Sequence, residues 1–237
     1  MTGIDRRTFL ALGGTSLAAA LLAACDSRGP AEARGILRWA ERRNEAVERV
    51  LFRHTAMDAP ESRMLAGRAL PSYYISRTVP VWDTAARGAW TLEVSGLVRR
   101  PLRLTLDQLT RLPRVTQRVN HYCVEGWTAV TEWTGVRVST LARMAGLLPD
   151  ARYADFQSFD GAYHESWDLE SALHRQTVVA YGWDRGALTP MHGAPARLHS
   201  PVKLGYKNVK YLTKVVFLPE RNGGYWSDQG YEWYAGT

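Results

Sequence analysis

The chain is poor in sulfur: its 237 residues hold two cysteines and five methionines. Two cysteines permit at most one disulfide, and they exclude a zinc or iron–sulfur cage built from cysteine alone. No Cys-x-x-Cys-His haem-attachment sequence occurs, so the chain carries no covalent c-type haem. Internal repeats and low-complexity tracts are also missing. The longest apolar run, Ala11 to Ala24, falls short of the ~20 residues that a spanning helix needs. What remains is ordinary globular composition, with 46% hydrophobic and 22% charged residues. The length suffices for one well-buried core without a staple.

The net charge of +7 suits an anionic ligand or an anionic lipid surface. Nucleic acid is not expected, because no nucleic-acid-binding motif is present and the N-terminus reads as an export signal. Arg6-Arg7 precedes Thr8-Phe9-Leu10, a mildly apolar stretch and a small-residue end. That is the layout of a secretory signal, and the paired arginines resemble a twin-arginine signal, which exports folded proteins. Leu22-Ala23-Ala24-Cys25 resembles a bacterial lipobox, with Asp26 as an inner-membrane retention signal. The expectation is a signal peptide over 1–24, lipidation of Cys25, and a periplasmic protein tethered to the inner membrane. The plainer alternative is cleavage that leaves Cys25 without a role.

Residues 25–70 read as a linker and an amphipathic helix, with Leu37, Ala40, Val47 and Leu51 falling largely on one face between Gly35 and His54. Pro60, Gly67 and Pro71 mark loop or broken helix. The main domain is expected over 71–237. Trp90 to Val98 alternates as a half-buried strand. Thr105-Leu106-Asp107-Gln108 has capping-box spacing and should open a short helix. Ser139 to Leu147 reads as another helix, and 152–159, 176–183 and 210–218 read as strands. Short strands mixed irregularly with short helices predict an α+β fold.

With Cys25 assigned to the signal, Cys123 is the sole thiol of the mature chain. It stands in Asn120-His121-Tyr122-Cys123-Val124-Glu125-Gly126-Trp127. A lone cysteine is compatible with a small buried hydrophobe, with a catalytic thiolate paired to His121 or His164, or with a soft metal ligand.

Four further segments bear on that choice. These are Trp133-x-Gly135, Asp160-Gly161-x-Tyr163, His192-Gly193-Ala194-Pro195-Ala196-Arg197, and Pro201 with Gly205 and Lys207-Asn208-Val209-Lys210-Tyr211. Taken in order with Cys123-Val124-Glu125-Gly126-Trp127, they resemble the oxidoreductase molybdopterin-binding domain of the sulfite oxidase superfamily. The likeness is greatest to the bacterial periplasmic methionine-sulfoxide reductase branch. This resemblance implies a sulfite oxidase-type fold of mixed short sheets and helices preceded by an N-terminal helix. It also implies a mononuclear molybdenum–molybdopterin cofactor, with Cys123 as the protein ligand to the metal and Glu125 handling protons beside it. Tyr74, Arg77, Ser158, His192, Arg197, Lys207, Asn208, Val209 and Lys210 would contact the cofactor, the basic residues taking its phosphate. Trp127 and Trp133 are expected in the core.

Departures from the pattern narrow the activity. Ser76, Arg77 and Thr78 stand where an Arg-Asn-His run is usual, which weighs against sulfite as substrate, and His192 stands where the reductase branch often has Asn. The expected activity is oxygen-atom transfer, as reduction of a small-molecule S-oxide or N-oxide with electrons from a membrane-bound, haem-bearing partner. A sulfite-type dehydrogenase is the alternative. Two cofactor-free rivals make structural statements. A lipoprotein binding module requires a closed cavity at Cys123, and a cysteine hydrolase requires a histidine hydrogen-bonded to it.

Overall fold

Two five-stranded sheets carry the fold. They belong to a computed structural model that describes residues 34–52, 55–59, 70–161 and 163–237. The expected signal peptide, Cys25 and the Pro60–Gly67 segment lie outside the described residues. The chain divides into two units, 1–51 and 52–237. Of the first unit the structure describes helix α1, Arg34–Leu51, which carries an Arg49–Glu45 ion pair of 2.9 Å at i,i+4 spacing. Its Ile36, Leu37, Trp39, Val47 and Leu51 are exposed. Among the described residues no helix is long and apolar enough to cross a membrane.

In the second unit, the first sheet contains β1 (Thr91–Gly96), β2 (Leu102–Thr105), β5 (Tyr153–Ser158), β6 (His164–Asp168) and β10 (Leu212–Leu218). Its strand order is β2-β1-β10-β5-β6, with β1 and β10 parallel and the other neighbours antiparallel. The second sheet runs β3 (Arg114–Tyr122), β4 (Thr128–Arg137), β7 (Val178–Trp183), β8 (Gly186–Ala187), with β9 (Arg197–His199) also on β7. The helices are short: α2 (Thr84–Arg87), α3 (Leu106–Thr110), α4 (Val138–Ala145) and α5 (Leu169–Ala172). Mixed pairing with short helices is the α+β arrangement expected from the sequence.

Local chemistry accounts for several elements. The capping box at α3 forms as its spacing requires: Gln108 N donates to Thr105 Oγ1 at 3.2 Å, and Thr105 N donates to Gln108 Oε1 at 2.9 Å. Asp83 caps α2 and Asp168 caps α5 by the simpler device of a carboxylate alone, accepting from Ala85 N and Ala86 N and from Ser171 N. The main core joins both sheets through Leu92, Val94, Phe156, Val215, Val136, Val179 and Leu198, with Leu141 of α4. A second cluster holds Val119, Ala129, Trp133, Val178 and Ala180 on the other face of the second sheet.

A buried ion pair fastens the end of the chain to this frame. Lys207 Nζ and Glu165 Oε2 meet at 2.5 Å, and both side chains are fully buried. Glu165 also accepts from Trp226 N at 3.2 Å and from the Ser227 hydroxyl at 3.2 Å. Lys207 is thus held inside the protein by a carboxylate. Removing one member of such a pair leaves the other charge buried and unmatched, at a cost of about 3–5 kcal/mol. Lys207→Met is therefore expected to lower unfolding stability by that amount in urea titration. A variant within about 0.5 kcal/mol of the parent would refute this role.

Candidate cofactor site

The longest antiparallel pairing, β3 with β4, ends in the turn that carries Cys123. Tyr122 pairs with Thr128, Cys123 N donates to Trp127 O at 2.9 Å, and Gly126 N donates to Cys123 O at 3.0 Å. Gly126 takes φ +84°, which a residue without Cβ adopts cheaply. The motif Cys-Val-Glu-Gly-Trp is therefore a closed hairpin loop. It presents a half-buried thiol with no disulfide partner.

This loop lines a cavity of about 370 Å³. Around Cys123, the walls come from Tyr74 and neighbours in 70–75, Ser158 and Asp160 after β5, Arg197 of β9, Asn208 and Lys210 before β10, and Trp226 and Tyr231 of the C-terminal segment. The cavity thus sits where ends of both sheets meet. Its openness beside the thiol speaks against a closed binding module.

Charge is unevenly distributed within it. Arg197 is buried, and its guanidinium donates only to main-chain carbonyls: His192 O at 3.0 Å, Asn208 O at 3.3 Å and Leu198 O at 3.2 Å. Its ring neighbour is Trp133, 4.8 Å below. Lys210 Nζ donates to Met191 O at 2.7 Å and Ser72 Oγ at 3.0 Å. Among the described residues no carboxylate matches either cation. Burial lowers Arg197 to about 10. Burial, reinforced by Arg197, lowers Lys210 to about 7. A buried guanidinium and a half-buried ammonium, both without a counter-ion among the described residues, call for an anionic ligand.

Other walls hold unused acceptors and donors. Asp160 Oδ1 and Tyr211 Oη are buried with no hydrogen-bond partner among the described residues, while Asp160 Oδ2 accepts from Ser76 Oγ at 3.4 Å. Tyr211 holds φ +57°, an unusual conformation for a bulky residue and one that strained sites tend to retain. At the mouth, Glu125 Oε2 accepts from Tyr73 Oη at 2.9 Å and Trp127 Nε1 at 3.0 Å. The hydrogen bond to Glu125 raises the Tyr73 phenol above its ordinary value, with some burial adding to it.

The structure divides the residues expected at the site. Tyr74, Cys123, Glu125, Ser158, Arg197, Asn208 and Lys210 line the cavity. Arg77, His192, Lys207 and Val209 do not. Arg77 is exposed, Val209 lies in the core, and Lys207 is held by Glu165. His192 stacks on Trp183 at 4.0 Å, and its two ring nitrogens meet Thr189 Oγ1 and Leu70 O at 2.9 and 3.2 Å. It therefore fixes Leu70, the first residue of the cavity wall.

Gly193, next to it, matters for space: a Cβ there would stand 2.9 Å from Lys210 Cβ. Asn208 orders its own loop, since its side chain binds Ser200 N, Lys203 O and Leu204 O at 2.6–3.2 Å. Trp127 packs against the second core cluster as expected, and it also lines the cavity, its indole N–H donating to Glu125. Trp133 is fully buried as expected.

Sequence reading missed Asp160 as a ligand-facing group, together with His121, Tyr163, Tyr211 and the aromatic C-terminal wall. Asp160 stood within a quoted motif, and its charge beside Gly161 was the available signal.

The hydrolase reading fails on geometry. Among the described residues no histidine is hydrogen-bonded to Cys123. His121 Nδ1 is paired with His199 Nε2 at 3.2 Å, and His164 Nδ1 with Asp155 at 3.0 Å. Burial pushes His121 down to about 3, with Arg197 and Lys210 adding to the shift. Burial also raises the Cys123 thiol, the opposite of an activated nucleophile. No group of three His, Cys, Asp or Glu side chains among the described residues converges to hold a metal. Any metal at Cys123 must therefore bring most of its donors with it.

Molybdopterin fits that requirement. It supplies a dithiolene for a soft metal, ring N–H groups for an orphaned acceptor such as Asp160 Oδ1, and a phosphate for Arg197 and Lys210. A pocket with one thiol and two cations unmatched among the described residues, on this α+β frame, is suited to an anionic cofactor. The chain belongs to the oxidoreductase molybdopterin binding domain family, whose model matches residues 77–226, and so to the sulfite oxidase superfamily. It is an enzyme of the molybdopterin oxidoreductase class.

The chain is 38% identical over 234 residues to a putative protein-methionine-sulfoxide reductase subunit, YedZ1, of Azospira oryzae, covering 98% of this chain and 88% of that protein. It is 30% identical over 173 residues to the uncharacterized oxidoreductase YuiH of Bacillus subtilis, covering 70% and 87%. Similarity to the protein-methionine-sulfoxide reductase catalytic subunit MsrP of Campylobacter jejuni is 29% over 165 residues, covering 62% of this chain and 56% of that one. In fold, the chain resembles the sulfane dehydrogenase SoxCD of Paracoccus pantotrophus, with a TM-score of 0.52 and 24% identity over 56% of this chain and 39% of that chain.

Lys210 makes anion binding pH-dependent. Without a ligand it loses its proton above about 7, and an anion beside it restores the charge. Binding then takes up a proton between that value and the ordinary lysine range, so affinity falls as pH rises through the window. Titration calorimetry of inorganic pyrophosphate into the cofactor-free full-length chain should show weakening of up to about tenfold per pH unit above about pH 7. Lys210→Gln should flatten that profile, and a parent profile already flat would refute the assignment.

Proposed function

We propose that the chain is a periplasmic molybdenum enzyme that removes oxygen from an S-oxide or N-oxide, using electrons from a membrane-bound, haem-bearing partner. The observation that carries this reading is the meeting of one unpaired thiol, Cys123, with the unmatched cations Arg197 and Lys210 in a single cavity. The names of the Azospira and Campylobacter relatives support the substrate class. Arg6-Arg7 and Leu22 to Cys25 support export and a lipid tether.

When bound, the molybdenum cofactor supplies a two-electron centre for oxygen-atom transfer. Cys123 supplies the protein sulfur, presented rigidly because its loop is closed by two main-chain hydrogen bonds. Arg197 and Lys210 would hold the anionic end of the cofactor, and Asp160 Oδ1 offers an acceptor for its ring N–H groups. Removing oxygen from an S-oxide consumes two electrons and two protons and releases water. Glu125, steadied by Tyr73 and Trp127, is the carboxylate beside Cys123 that handles those protons.

A neutral oxide suits this mouth better than sulfite does. Glu125 and Asp160 place carboxylates around it, and Ser76 binds Asp160 where an anion-binding arginine would be expected.

The test is metal and pterin analysis of full-length protein from a molybdenum-replete host, followed by dye-linked assays. Expected are bound molybdenum and reduction of methionine sulfoxide or trimethylamine N-oxide faster than oxidation of sulfite. Cys123→Ser should lower that activity by at least roughly 100-fold while the protein remains folded. Folded parent protein without molybdenum or pterin would overturn the proposal.

A further inference from the structure

The residues before Cys123 are held from outside the sheet by a strap that no part of the cofactor site explains. Among the described residues β3 is an outer strand paired only with β4, and no strand there pairs with the other edge of its last turn-proximal residues. Asp58, in the described segment 55–59, covers that edge. Its Oδ2 accepts from Asn120 N at 2.7 Å, and its Oδ1 accepts from Asn120 Nδ2 and Tyr122 Oη, both at 2.9 Å. All three donors lie within the last three residues of β3, and Tyr122 adjoins Cys123 directly.

The strap is itself pinned at the other side. The Gln176 side-chain amide imitates a neighbouring strand: Oε1 accepts from Asp58 N at 2.7 Å, and Nε2 donates to Asp58 O at 2.9 Å. Ala56 O meets His174 Nε2 at 2.9 Å. Gln176 O in turn accepts from Gln117 Nε2 at 2.7 Å, back on β3. Asp58 is thus a rigid link between the 174–176 turn and the end of the hairpin that carries the thiol.

We infer that Asp58 is a positioning residue for Cys123, fixing the hairpin end so that the sulfur is presented to the metal in one geometry. This deepens the proposed function and rests on it. The chemistry of the acceptor is specific. A carboxylate accepts from three donors at once, whereas an amide of the same shape keeps one acceptor oxygen and sets N–H groups against donors. Asp58→Asn therefore breaks the link without changing bulk.

The experiment uses the full-length chain with and without cofactor. In cofactor-free Asp58→Asn, amide exchange at residues 120–123 should rise about tenfold or more, and peptide-resolved alkylation of Cys123 should accelerate similarly, since a charge-assisted hydrogen bond is lost. Exchange in β5 and β10 should not change. In the loaded enzyme, molybdenum X-ray absorption should report altered or more dispersed metal–sulfur distances, and kcat should fall with KM little changed. Tyr122→Phe, which removes one donor alone, gives a smaller change of the same sign and serves if Asp58→Asn folds poorly.

Exchange and alkylation within twofold of the parent would overturn the inference. So would a rise spread equally over both sheets, or metal–sulfur distances identical to those of the parent. A parent chain that takes up no molybdenum would defeat the functional proposal, and the exchange and alkylation results would still decide whether Asp58 fixes the thiol.

Discussion

The buried contact between Lys207 and Glu165 decides what the rest of the cavity does. It lies at the join between β6, the short turn before β10 and the C-terminal segment. Through Glu165 it fixes Trp226 N and the Ser227 hydroxyl, so the aromatic wall with Trp226 and Tyr231 stands where it does because a charge is satisfied beneath it. It also separates two lysines close in sequence. Lys207 is neutralised within the frame, and Lys210 is left to the cavity without a counter-ion. Two residues of the same chemistry thereby take opposite duties, one holding the fold and the other awaiting an anion.

The cavity is polarised as a result. Cations gather on the side of β9 and the start of β10, and carboxylates stand at the mouth near Cys123 and after β5. Desolvation makes this separation strong, since little water remains to screen Arg197. An elongated ligand with an anionic end is oriented by that field before any specific contact forms. Glu125 is the carboxylate that acts on the thiol, and burial raises the thiol above its ordinary value.

Much of the frame was legible in the sequence because its signals were local. Thr105 and Gln108 declared the start of α3, and the alternation around Leu92 and Val94 declared β1. The hairpin of β3 and β4 was not read, although it is the longest pairing and carries Cys123. Burial alternates over Arg114 to Val119, but the polar Gln117 falls on an inward position and Asn120 and His121 follow Val119, so a period of two is faint in the sequence. At the site, motif order marked the right stretches but not the direction of each side chain. Lys207 and Lys210 look alike in sequence, and only the distant Glu165 tells them apart. His192 looked like a ligand contact, yet Trp183 and Leu70, both remote in sequence, make it a support for the cavity wall. Trp127 does pack against the core, but its second duty in the cavity wall shows only once the nearby Glu125 accounts for its indole N–H.

The close approach of Gly193 to Lys210 has a bearing on how such a site changes over generations. A side chain at 193 would collide with the first carbon of the lysine side chain. Gly193 also holds φ +104°, a conformation that side chains rarely adopt. The obstruction comes from Cα and Cβ of position 210, so exchanging the cation for another side chain leaves it in place. Position 193 is barred to a side chain twice over, by space and by backbone, whatever charge 210 carries.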